Sequence, residues 1–90
     1  MRYSKKIRLV NQLGMHLKAA AAFVMTAEKF KSDIKIKYNN IVADGKSIMS
    51  VLGLGATYKS KIEIIAEGVD AREAIMKLEE LIKNKFGEKQ

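Results

Sequence analysis

Ninety residues, 48% apolar and 30% charged, with no proline and no cysteine, have globular composition and fit one domain over residues 1–90, and they exclude disulfides and thiolate metal sites. Seventeen lysines and arginines against ten acids give a formal charge of +7, which favours acidic partners, yet the basic positions are scattered and no run of five like charges makes a basic arm. The uncharged runs, residues 19–27 and 47–58 among them, are too short for a bilayer, and no apolar segment follows the basic N-terminus as in a signal peptide, so a soluble cytoplasmic protein without membrane insertion is expected.

Taken in chain order, residues 4–10 read as a strand, with Ile7 and Leu9 alternating against Lys6 and Arg8. Gly14 breaks that pattern. From Leu17 to Lys29 the apolar spacing turns helical through Ala20, Phe23, Val24 and Ala27, with Phe30 just beyond. Residues 34–38 alternate as Ile-Lys-Ile-Lys-Tyr, and Asn39-Asn40, which tolerate positive φ, predict a tight hairpin into residues 41–43. Asp44-Gly45 marks a turn, Ser47 caps a short helix from Ile48 to Leu52, and Gly53 and Gly55 end it. Residues 61–67 form a strand with Ile62, Ile64 and Ala66 on one face. Asp70 and Glu73 have the spacing of a capping box ahead of a last helix striped by Ile75, Leu78 and Ile82. The order β-α-β-β-α-β-α describes an α+β fold whose helices cover one face of an antiparallel sheet. The other face is left to solvent, which suits the lysines of the second strand.

The one histidine, His16, falls where a strand ends and a helix begins, within Asn11-Gln12-Leu13-Gly14-Met15-His16-Leu17-Lys18-Ala19-Ala20. A helix start presents unpaired N–H groups and the positive end of the dipole, and so holds a phosphate well. Near pH 7 a neutral imidazole nitrogen offers a lone pair that can attack phosphorus, and Lys18 can neutralise phosphoryl oxygens. The plainer reading is a loop or helix-capping histidine. The sequence has no metal-ligand cluster, Ser-His-Asp set or glycine-rich nucleotide loop, so neither a metal nor a cofactor is expected.

Three stretches decide between those readings. The segment Gly14-Met15-His16 with Ala20 resembles the active-site segment of the HPr family, the phosphocarriers of the phosphoenolpyruvate–sugar phosphotransferase system. Gly45-Lys46-Ser47-Ile48-Met49-Ser50-Val51-Leu52 resembles that family's segment around its regulatory serine. Ala66-Glu67-Gly68-Val69-Asp70-Ala71-Arg72-Glu73-Ala74 resembles the entry to its last helix. The likeness runs without a gap from about residue 4 to residue 84. It implies an HPr-like open-faced sandwich, three helices on a four-stranded antiparallel sheet of order 1-4-2-3. It implies a phosphoryl carrier, a transferase component and not a stand-alone enzyme. His16 would take the phosphoryl group from an Enzyme I-like donor, with Lys18 beside it, and pass it to a sugar-specific acceptor protein.

By the same resemblance Ser47 is a regulatory phosphosite for an HPr kinase/phosphorylase. Leu17, Lys46, Ile48, Met49 and Leu52 would form the docking patch for partner proteins, a transcription regulator among them, on a monomeric chain. The sequence departs from the family at three places. Lys18 stands for an arginine, so a mobile point charge replaces a planar fork. Ala19 stands for a proline, and Leu17 for a small residue. These changes beside His16 support an alternative, an HPr-like regulatory module outside sugar transport that signals through His16 or Ser47. An RNA-binding α/β domain would also suit the element order and the charge, but the aromatic pairs that stack bases are absent, so no nucleic-acid partner is expected.

Overall fold

A computed structural model describes residues 1–90. The chain runs β1 (Arg2–Arg8), α1 (Leu17–Ala27), β2 (Asp33–Tyr38), β3 (Ile41–Asp44), α2 (Ile48–Leu52), β4 (Lys61–Glu67) and α3 (Ala71–Lys83), then a short turn at Lys85–Gly87. The four strands form one antiparallel sheet in the order β1-β4-β2-β3, as the family resemblance implied.

Alternation sorts the sheet into two faces. Ile34 and Ile36 of β2, Ile62, Ile64 and Ala66 of β4, and Ile7 of β1 point under the helices and are buried. Phe23, Val24 and Ala27 of α1 and Ile75, Leu78 and Ile82 of α3 close over them, with Phe23, Leu78 and Ile82 fully buried. On the open face Lys6 stands opposite Glu63, and Glu63 opposite Lys37. Such cross-strand pairs of opposite charge add about 0.2–1 kcal/mol each. The β2–β3 hairpin turns on Asn39 and Asn40 at φ 50° and 65°, the double left-handed geometry that a two-residue turn demands and that asparagine tolerates.

Three local expectations shift. The first strand lies two residues earlier than residues 4–10. Arg2 pairs with Glu67, and the Gly68 N–H donates to the Met1 carbonyl, so the N-terminus is drawn into the sheet. At the other end Leu9 still exchanges hydrogen bonds with Lys59 and Ser60, both 2.9 Å, but Lys59 is left-handed at φ 72° and the regular ladder stops. Helix α1 ends at Ala27, before Lys29, because Lys29 and Phe30 donate to Thr26 and Ala27 in tight i→i−3 turns.

The third shift is at Asp70. It is the residue before α3, but its side chain makes no capping bond, so the box with Glu73 does not form. Its carboxylate reaches back to the α1–β2 loop, where it accepts from the Lys31 and Ser32 N–H groups, both at 2.9 Å, and from the Ser32 hydroxyl at 2.5 Å. The Ser32 hydroxyl and the two main-chain donors hold the Asp70 carboxyl below the usual carboxylate range. Gly68 permits this closeness: at φ 149°, a Cβ there would lie 2.6 Å from Ser32 Oγ.

Candidate functional site

The segment from β1 to α1 is tied down on both sides of the histidine. Gly14 sits at φ 64°, a left-handed position, and an added Cβ would meet the Ala56 carbonyl and Thr57 Cα at 2.8 Å. Its N–H donates to the Asn11 carbonyl at 3.1 Å, and the Met15 N–H donates to Ala56 at 2.9 Å. Met15 is buried. The chain is therefore clamped against residues 56–57, and His16 emerges as the residue before α1 in extended conformation. Its side chain makes no cap bond, which removes the plain capping role. The first helical bond runs from the Ala20 N–H to the His16 carbonyl, 2.8 Å, so the N–H groups of Leu17, Lys18 and Ala19 have no helical partner. No acidic side chain of the helix itself occupies that first turn, where the positive end of the dipole lies.

The other wall of the site comes from the end of the chain. After α3, Lys85, Phe86 and Gly87 are all left-handed, at φ 58°, 56° and 82°. They reverse the chain, with Phe86 packed against the core, and set Glu88 against His16. One Glu88 carboxylate oxygen, Oε2, is hydrogen-bonded to His16 Nε2. The other accepts from Asn11 Nδ2 at 3.0 Å, and Asn11 Nδ2 also donates to the Gly14 carbonyl at 2.8 Å. The tail is further held where the Gln12 N–H donates to the Gln90 carbonyl. Burial alone would raise the Glu88 carboxyl. The hydrogen bonds from His16 and Asn11, with the charges of His16 and Lys18, outweigh it and hold the group below its ordinary range.

An ionised Glu88 is an acceptor only, so Nε2 is the donor of this pair, and in the neutral ring the lone pair belongs to Nδ1. Nδ1 makes no hydrogen bond within the protein and is not a buried atom. The arrangement thus offers a nucleophilic nitrogen with an anchored ring, next to unpaired N–H groups at a helix start.

The other expected residues fall as follows. Lys18 is exposed and forms no ion pair, although its charge reaches Glu88. Leu17 and Met49 are well exposed, at 60% and 74%, and Ile48 less so. Leu52 is half-buried against the core. Helices α1 and α2 pack on each other. Lys46 is not a free charge, because its Nζ donates to the Phe30 carbonyl at 2.7 Å and closes the end of α1. Ser47 caps α2 as expected, its hydroxyl accepting from the Ser50 N–H at 3.3 Å. Asn11 and Glu88 were not singled out by sequence. Phe86-Gly87, an apolar residue followed by glycine just past a helix, is the signal that could have marked the chain reversal.

Comparison with known proteins gives the same answer along most of the chain. Residues 3–84 match the family model described as "PTS HPr component phosphorylation site". The phosphocarrier protein HPr of Neisseria meningitidis serogroup A is 38% identical over 84 residues, covering 93% of this chain and 94% of that protein. The HPr of Treponema pallidum is 37% identical, covering 93% and 96%. Among solved structures, an HPr from Thermoanaerobacter tengcongensis superposes with a TM-score of 0.94 at 40% identity, covering 98% of this chain and 99% of that one. A phosphocarrier HPr from Bacillus anthracis gives 0.86 at 32%, covering 90% and 96%. Fold and sequence therefore agree, and the chain belongs to the HPr family of phosphocarrier proteins.

Proposed function

We propose that this chain accepts a phosphoryl group on Nδ1 of His16 from an Enzyme I-like donor and hands it to an acceptor protein of a sugar phosphotransferase system. The observation that carries this reading is the free Nδ1 at the start of α1, with Nε2 already engaged by Glu88. The transfer is two successive displacements on phosphorus, with the protein as the covalent intermediate. The N–H groups of residues 17–19 and the mobile Lys18 ammonium supply the electrostatic support that the family takes from an arginine. The exposed Leu17, Ile48 and Met49 form the docking face for donor and acceptor. Ser47, at the end of α2 on that face, is the site where a phosphate would change docking.

The test is a phosphorylation assay with Enzyme I and phosphoenolpyruvate, read by intact mass. One added phosphate, labile in acid and stable in alkali, is expected on the wild type and none on His16→Ala. Full labelling of that variant would refute the assignment.

A further inference from the structure

Phosphorylating Nδ1 changes what the ring requires at Nε2. The Nδ1 lone pair forms the N–P bond, the bond from phosphorus to the donor breaks, and its electron pair stays with the donor. The ring keeps its Nε2 proton and becomes a cation bearing the phosphoryl group. In the onward transfer the acceptor's lone pair forms the new bond to phosphorus and the N–P pair returns to Nδ1. With the proton on Nε2 the ring leaves as neutral imidazole. Without it the ring must leave as an imidazolide anion, a far poorer leaving group. A group that holds the Nε2 proton therefore keeps the phosphoryl group transferable.

Glu88 occupies that position and is itself held there. Its Oε2 is bonded to Nε2, and its Oε1 accepts from Asn11, which is fully buried and pinned to the Gly14 carbonyl. The carboxylate side chain is only 17% exposed, so it is aimed by the protein and does not swing freely in water. A carboxylate this close to Nε2 favours the protonated, cationic form of the phosphorylated ring. Few other charges compete. The loop at residues 53–57 and the segment at residues 11–15 contain no titratable side chain. Lys18 on α1 acts on Glu88 by charge alone, and Lys89, next to Glu88 in sequence, is exposed on the tail. No second carboxylate forms an ion pair with His16.

Resting on the phosphocarrier reading above, we propose that Glu88 is a positioning residue for His16: its carboxylate fixes the Nε2–H tautomer in the free protein and retains the Nε2 proton on the phosphorylated ring, so that the tail sets the pH range over which the phosphoryl group can be passed on. The relation is that of the buried aspartate to the histidine in a hydrolase triad, where the acid orients the ring and stabilises its cation. Here the partner comes from the opposite end of the chain.

Two measurements test it on the full chain and on Glu88→Gln, which keeps the size and removes the charge. Nitrogen-15 NMR of the unphosphorylated protein reads the tautomer and needs no donor. The wild type should be held as Nε2–H, and the variant should be a mixture, since an amide can donate to the ring as well as accept. The same spectra show whether the variant is folded. The ring is then phosphorylated chemically with phosphoramidate, and dephosphorylation is followed against pH by phosphorus-31 NMR. Removing the charge should move the alkaline fall in rate down by about one pH unit, so that above the midpoint the variant loses phosphate roughly tenfold more slowly. An unchanged tautomer and an unchanged pH profile in folded Glu88→Gln would overturn the proposal. A fixed tautomer on a ring that neither phosphoramidate nor Enzyme I can phosphorylate would instead overturn the carrier reading, and with it the role of Glu88 in onward transfer.

Discussion

Replacing Gly14 by alanine perturbs one of the contacts that seat the His16 ring. Two costs add. A side chain at φ 64° adopts the left-handed region at about 1–2 kcal/mol. The new Cβ would lie 2.8 Å from both the Ala56 carbonyl and Thr57 Cα, main-chain atoms that cannot rotate away, and relieving such crowding typically costs about 1–3 kcal/mol. The stiffer unfolded chain offsets about 0.4–1 kcal/mol. A net loss of about 1–4.5 kcal/mol follows, and its middle value of about 3 kcal/mol corresponds to roughly 12–24 °C in melting temperature for a chain of this size. Gly55→Ala is the control: φ is 66°, yet nothing lies within 4 Å of its Cβ, so only the conformational cost remains, less than about 1.5 kcal/mol after the same offset. Urea unfolding of both variants, followed by circular dichroism, gives the difference. Equal losses would refute the reasoning, because the main chain at residues 56–57 would then be yielding without cost and would not be clamping the segment that carries His16.

Two further outcomes follow from the same geometry. The Asp70 carboxyl is held below its ordinary range in the folded protein by Ser32 and Lys31, so its contribution to stability is full above the unfolded value and is lost as pH falls through the folded one. Asp70→Asn should therefore destabilise at pH 7 and progressively less as pH falls below the unfolded value, in urea titrations across that range; a deficit that does not shrink would show that the charge is not involved. Ser47→Asp should keep the helix cap, since aspartate caps as well as serine, and so leave the melting curve nearly unchanged. It should slow phosphoryl transfer from Enzyme I by placing a charge beside the exposed Ile48 and Met49; an unaltered time course would place the docking face elsewhere.

What the sequence made legible was chemistry that acts between near neighbours. The Ile34–Tyr38 alternation, the Asn39-Asn40 turn and the Ser47 cap each depend on residues a few positions apart, and each forms as read. Asp70 was read by the same local rule and escaped it. Three donors from the α1–β2 loop, more than thirty-five positions away, outbid the cap that Glu73 would have completed. The candidate site divides in the same way. His16 and its helix start announce themselves in ten consecutive residues. Glu88 does not, because its partners Asn11 and His16 are more than seventy positions away and nothing in Gly-Glu-Lys-Gln has a period or a motif. Lys46 shows the limit from the other side: its charge was legible, but not that the Phe30 carbonyl already holds it.

The sheet order leaves β1 and β3 as its two free edges. β3 is short, with four residues, but β1 runs for seven, long enough to template a strand from another molecule. Arg2, Lys5, Lys6 and Arg8 lie along it, and lysine and arginine on an exposed edge are a common guard against edge-to-edge pairing, because two such edges repel and each buried ammonium would have to be stripped of water. Part of the +7 charge is thus positioned to keep β-sheets of neighbouring molecules apart. That guard is electrostatic, so it weakens as salt shortens the screening length to a few ångströms, and concentrated protein in high salt is the condition under which this edge is least protected against aggregation.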